Sequence, residues 1–194
     1  NVAESFRLDI SSSSLNGSPF SSLTIPQLFE VEARMAHKEV TASKKGKVIY
    51  KAGNQYVNNF TSPVTKIDQI QNSVKYFDAG ETINLEDGTY NQRVVLDKNG
   101  IILQGVTNIK GDFILDGTGL IGTGNGITIN NNITGSSISN LTIRNFAGTG
   151  GNANAGIKGL LSNSQTSINN VAVNNNSNAS GIFFGGGAGI QNVS

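Results

Sequence analysis

Asp112 and Asp116 are the residues whose type and spacing come nearest to a catalytic pair, because glycoside hydrolysis needs two carboxyl groups at a fixed separation. They are the only acidic side chains after residue 100. Their neighbours Gly111 and Gly117 point instead to turn chemistry. β-Elimination of a uronate polymer needs a Lys or Arg base and a cation to neutralise the sugar carboxylate. No Gly-Gly-x-Gly-x-Asp calcium repeat occurs in the chain. His37 is the only histidine, and no Ser, Cys or acid stands at a motif spacing from it, so it is expected to pack rather than to react. Lys44, Lys45, Lys47 and Lys51 could hold a phosphate or an anionic polymer, but a cluster of this kind beside Gly46 reads as solvated turn lysines. Gly185-Gly186-Gly187-Ala188-Gly189 lacks the Lys-Ser/Thr of a phosphate loop and the strand-to-helix setting of a dinucleotide site. Catalytic residues, cofactor ligands and metal ligands are therefore all read as none, and the chain is expected not to be an enzyme.

The elements that would position any site must be built without cysteine, which removes disulfides and thiolate metal sites. A net charge of +1 leaves no electrostatic footprint for nucleic acid. No apolar run is long enough for a membrane span. The chain opens on Asn1 rather than Met, which fits a mature form after export or equally a trimmed chain, and an extracellular or cell-surface location is expected. Charge is divided unevenly. All thirteen acids and twelve of the fourteen bases fall in residues 1 to 116, and only Arg144 and Lys158 follow. Mixed surface charge ordinarily opposes association, so the second half lacks that protection.

Residues 6–10, Phe6 to Ile10, alternate apolar and polar like a short strand, and Ser11 to Pro19 read as a flexible link. Between Ile25 and Val40 a helix starting at Pro26 competes with strict alternation. The alternation matches better and, with Val48-Ile49-Tyr50 returning after Lys44-Lys45-Gly46-Lys47, predicts a long half-buried β-hairpin. Asn58 to Pro63 reads as a linker. Ile67, Ile70, Val74 and Phe77 then recur at helical spacing, ending before Gly80.

From residue 82 onward short β-branched runs are separated only by turn material. Asn99-Gly100-Ile101 is echoed at Asn125-Gly126-Ile127, Ala155-Gly156-Ile157 and Ser180-Gly181-Ile182, and residues 137–145 realign with 167–175 after 30 residues. Strand and turn signals at such a period predict parallel strands stacked through an internal aliphatic ladder. Ile83, Leu85, Ile101, Leu103, Ile127, Ile129, Leu141, Ile143, Val171 and Val173 are its expected members. Gly80-Glu81-Thr82-Ile83 followed by Gly88-Thr89-Tyr90 resembles the opening of right-handed parallel β-helix proteins of the pectin-lyase-like superfamily. The resemblance spans about residues 67 to 194. It implies an all-β fold, a right-handed parallel β-helix (solenoid) with an N-terminal capping helix and a small preceding β-rich segment. The corresponding divisions are 1–63 (strand and hairpin), 64–80 (capping helix) and 81–194 (β-helix). The superfamily holds polysaccharide lyases, hydrolases and epimerases as well as tailspikes and adhesins, so the resemblance implies no single activity.

The function expected from these features is that of an extracellular structural protein whose subunits assemble head-to-tail into a surface fibre or matrix filament. The partner is then the protein itself. The alternatives are an adhesin-like carbohydrate-binding β-helix, or the N-terminal part of a polysaccharide lyase or hydrolase, either of which would take a polysaccharide as partner. The pattern stops at Ser194 with nothing to blunt a strand edge, and unblunted edges template pairing. The expected assembly interface is Phe6, Leu8 and Ile10 on one side and Ile182, Phe183, Phe184, Ile190 and Val193 on the other. Asn-x-Ser/Thr sequons at Asn16, Asn59, Asn132, Asn140, Asn175, Asn178 and Asn192 permit glycosylation in an exporting cell.

Overall fold

The computed structural model describes residues 6–34, 46–59, 69–148, 155–159, 166–178, 180–185 and 190–193. In the N-terminal segment, strand β1 (Phe6–Asp9) lies parallel to β4 (Gly46–Ile49), with Arg7 opposite Lys47 and Leu8 opposite Val48. A small hairpin, β2 (Ser14–Leu15) and β3 (Ser18–Pro19), turns at Asn16-Gly17, both of which have positive φ, as such a tight turn demands.

Helix α1 (Ile25–Arg34) replaces the expected hairpin. The Thr24-Ile25-Pro26-Gln27 sequence starts it: the Thr24 amide donates to Gln27 Oε1 at 2.9 Å, and the Leu28 amide donates to the Thr24 carbonyl at 3.0 Å. That is one half of a capping box, with Pro26 inside the first turn where its missing N–H costs nothing. The alternating pattern was genuine but tolerated both periods, and the start signal decided the outcome. Met35, His37, Val40, Lys44 and Lys45 fall outside the described residues. Leu28, Phe29 and Val31 pack with Phe20, Leu23, Tyr50 and Tyr56 into a core of their own, in which Tyr50 stacks on Tyr56 with ring centroids 5.5 Å apart.

The remainder is built from parallel strands. An eight-stranded sheet runs through β5 (Asn54–Val57), β6 (Thr82–Leu85), β9 (Ile102–Gly105), β12 (Ser137–Arg144), β14 (Thr166–Asn174) and β16 (Ile190–Val193). Off this path, β10 (Phe113–Asp116) pairs with both β12 and β7 (Gly88–Tyr90), so the sheet forks. A four-stranded sheet orders β8 (Val94–Leu96), β11 (Ile127–Ile129), β13 (Ala155–Gly159) and β15 (Ser180–Phe184). Helix α2 (Gln69–Lys75) packs Ile70 and Val74 against these sheets.

This architecture corrects the expected all-β, right-handed parallel β-helix with a single capping helix. The described chain is a mixed α/β-like fold, with several parallel sheets, a curled half-barrel among them, and two helices. Gln55, Tyr56 and Val57, from the segment expected to precede the sheet, pair with Ile83, Asn84 and Leu85 and extend the large sheet across α2 in sequence. The motif at Gly80–Ile83 and Gly88–Tyr90 specifies only a local strand, turn and strand, β6 and β7. Asn58, placed in a linker, is buried and donates to the Phe29 carbonyl at 2.9 Å.

The main core contains eight of the ten aliphatics expected inside, while Val171 and Val173 are half-buried against it. Full burial of such a side chain contributes about 1.5–3 kcal/mol, so this cluster dominates the stability of the sheet layers. The abundant asparagines serve the corners. Asn140, Asn145, Asn170 and Asn175 all have positive φ, which Asn tolerates better than most residues. Asn170 also donates to Asn140 Oδ1 at 3.0 Å, linking corners 30 residues apart.

Candidate functional site

The two carboxylates that come nearest to a pair in the sequence, read there as turn residues, are not brought together by the fold. Asp112 and Asp116 are four residues apart along the extended chain leading through β10, a backbone distance of about 13 Å. Glycosidase carboxyl groups stand roughly 5–9.5 Å apart. Asp116 is instead fully engaged: Arg144 Nε donates to Oδ2 at 2.8 Å, and the Thr118 amide and Asn145 Nδ2 donate to Oδ1 at 2.8 and 3.0 Å. Burial acts to raise its pKa, but the hydrogen bonds from Thr118, Arg144 and Asn145 outweigh this and hold it at about 2. A carboxyl depressed below its unfolded value of 3.8 stabilises the fold above that value and loses the contribution as the pH falls towards 2. Acid titration of stability should therefore show a loss between about pH 4 and 2, and Asp116→Asn should flatten that limb; an unchanged limb in the variant would refute the assignment.

Lys47, grouped by sequence with solvated lysines, is buried at 3% exposure. Its Nζ donates to Asp78 Oδ2 at 2.7 Å, to the Tyr76 carbonyl at 3.2 Å and to Glu81 Oε1. Glu81, also buried, accepts on Oε2 from Gln55 Nε2 and from the Asp78 amide, each at 2.9 Å. Arg7 Nη1 pairs with Asp78 at 2.8 Å from the exposed strand β1. Lys98 donates to the Lys75 and Phe77 carbonyls at 2.6 and 3.2 Å. Two lysines thus serve the carbonyl end of α2, where cations are favoured. Burial acts to raise the pKa of Asp78, but Lys47, Arg7 and Lys98 more than offset it and keep the carboxyl below its usual range. The cluster ties the β1–β4 pair, α2 and the large sheet together. Its trace in the sequence was parity: in Gly46-Lys47-Val48-Ile49, Lys47 shares a face with buried Ile49.

The sheet edges are treated unequally. Along β8, Val94 N and Leu96 O bond β11, through Gly126 O and Asn130 N at 2.9 and 3.0 Å, so Val95 N and O face the opposite edge. There Gln71 of α2 takes the place of a strand, its Oε1 accepting from Val95 N at 2.6 Å and its Nε2 donating to Val95 O at 3.2 Å. Gln92 Oε1 in turn accepts from the Ile70 and Gln71 amides at 3.0 and 3.2 Å, fixing the start of the helix. At the large sheet's corresponding end, α1 packs on β5. At the other ends, β15 and β16 are outermost and pair on one side only among the described residues.

The expected interface residues divide accordingly. Leu8 is 43% exposed, whereas Ile10 is half-buried against the α1 core, and the Phe6 side chain falls outside the described residues. Ile182 and Phe184 face the main core, with the Phe184 ring lying over Gly159. Phe183 alternates away from them, and Lys158 Nζ sits 6.0 Å from its ring centroid. Ile190 and Val193 belong to β16, but their side chains are outside the described set. Among the described residues, β1 shares no sheet with β15 or β16.

Of the sequon asparagines, Asn16, Asn132, Asn175 and Asn178 are exposed in left-handed turns. Asn140 is half-buried and uses both amide atoms, donating to the Gly105 carbonyl at 3.2 Å and accepting from Asn170. Asn59 is half-buried, and the side chain of Asn192 is not among those described. No helix among the described residues is long and apolar enough to cross a membrane. No protein family, curated protein or solved structure matches the chain.

Proposed function

We propose that the protein is an extracellular structural subunit that associates with copies of itself through the outer strands β15 and β16. The observation that carries this reading is the contrast between the sheet ends, since Gln71 satisfies the outer backbone of β8 while, among the described residues, β15 and β16 stand outermost at the other ends. Proteins that remain apart blunt their strand edges with charge, proline or a covering element. Charge gives little protection here. After residue 117 the only charged side chains are Arg144 and Lys158; Arg144 is paired with Asp116, and Lys158 lies over Phe183. Phe183 presents an aromatic ring beside the edge, and a second copy laid along β15 would cover it. A repeated contact between unlike surfaces yields a filament where its rotation does not close into a ring.

Phe183→Lys places a second cation beside Lys158 at that edge, opposite in the sheet register. Sedimentation velocity over a rising concentration series should show the wild-type chain moving to larger species, and the variant remaining small to at least roughly tenfold higher concentration, the shift expected for about 1.4 kcal/mol per contact. Equal association of the two chains would remove β15 from the contact.

A further inference from the structure

We propose that β1 is an exchangeable strand, and that residues 6–10 of a second copy can occupy its place on β4 to form a reciprocal dimer. This inference does not depend on the sheet-edge reading, because it concerns a different surface and a closed contact. The β1 strand is held lightly. Arg7, Leu8 and Asp9 are all exposed, so it buries little of the side-chain surface described. Its attachments among the described residues are the parallel pairing with β4, continued by the Ile10 amide donating to the Ile49 carbonyl at 2.8 Å, the packing of Ile10, and the Arg7–Asp78 ion pair. The next segment, Ser11 to Ser13, joins the strand to the β2–β3 hairpin and is a run of serines suited to a hinge.

Charge selects the occupant. Arg7 stands directly opposite Lys47 in the register, a pairing of like charges that opposes strand association by itself. Asp78 lies between them, 2.8 Å from Arg7 Nη1 and 2.7 Å from Lys47 Nζ, and turns the repulsion into a bridge. The vacant site would therefore accept a strand that brings one cation opposite Lys47 and an aliphatic residue opposite Val48. Residues 6–10 of an identical chain meet that requirement, since domain exchange re-forms every native contact in trans. Of the described charged groups facing this site, Lys47 and Glu81 are buried and Lys98 is bound to helix carbonyls, so among the described residues Asp78 is the acid within reach of the incoming strand.

The chain has no cysteine, so two single variants, Leu8→Cys and Val48→Cys, give an unambiguous test. The strands of a sheet lie about 4.8 Å apart, within disulfide reach. The two variants are mixed at high concentration, oxidised mildly and mapped by peptide mass. The inference expects an 8-to-48 linkage between chains, in at least several-fold excess over 8-to-8 linkage. Formation of only 8-to-8 dimers, or of none, would overturn strand exchange. Should wild-type chains still form large species in that case, the sheet-edge reading survives alone. If instead the 8-to-48 dimer forms and nothing larger is seen, strand exchange stands and the sheet-edge reading fails.

Discussion

Replacing Lys47 with Met is expected to destabilise the protein by about 3–5 kcal/mol, because it leaves a buried carboxylate without its cation. Glu81 is buried to 5% exposure and would retain only the Gln55 amide and the Asp78 backbone amide as partners. Asp78 would keep Arg7, a partner more than half exposed and correspondingly weak. For a chain of this size the loss corresponds to roughly 6–20 °C in melting temperature. The effect should be strongly non-additive. Glu81→Gln in the Lys47→Met background removes the stranded charge and should recover part of the loss, whereas adding the two single effects would predict a further fall. Guanidinium unfolding followed by circular dichroism measures all three variants. A cost below 1 kcal/mol for Lys47→Met would show that the cluster is not the clamp described here.

The second large effect lies where β9 meets β10. Phe113 is fully buried, and Phe113→Ala should cost about 3–5 kcal/mol in lost burial and residual cavity. Its ring lies over Gly105, where a methyl group would overlap the ring and stand 2.5 Å from the Asn140 carbonyl oxygen. Gly105→Ala should therefore destabilise by about 1–3 kcal/mol through overpacking. In the Phe113→Ala background it should cost less, since only the carbonyl contact remains. Equal costs of Gly105→Ala in the two backgrounds would refute the packing account.

The parallel strands were legible because their pattern is local and repeated: the aliphatics at 83, 85, 101, 103, 127, 129, 141 and 143 keep the spacing that puts them inside. The global arrangement was not. Nothing in Gln55-Tyr56-Val57 says that it pairs with residues beyond the next helix, and nothing in Phe113–Asp116 says that it bridges β7 and β12 and forks the sheet. At Ile25–Arg34 a helix pattern and a strand pattern coincide, and the hydrogen bond from the Thr24 amide to Gln27 at the helix start accompanies the helical outcome. Lys47 was misread because a lysine beside a glycine in a basic run is usually solvated, and its acidic partners lie 31 and 34 residues away. The role of Gln71 was beyond sequence reading altogether, since a glutamine amide standing in for a strand depends on where α2 lies against β8.

Self-association through the outer strands is the central claim, and negative-stain electron microscopy of the purified chain tests it most directly. Wild-type protein at high concentration should form extended particles of one repeating width, and Phe183→Lys at the same concentration should show only small single particles. A wild-type field of dispersed monomers, indistinguishable from the variant, would contradict it.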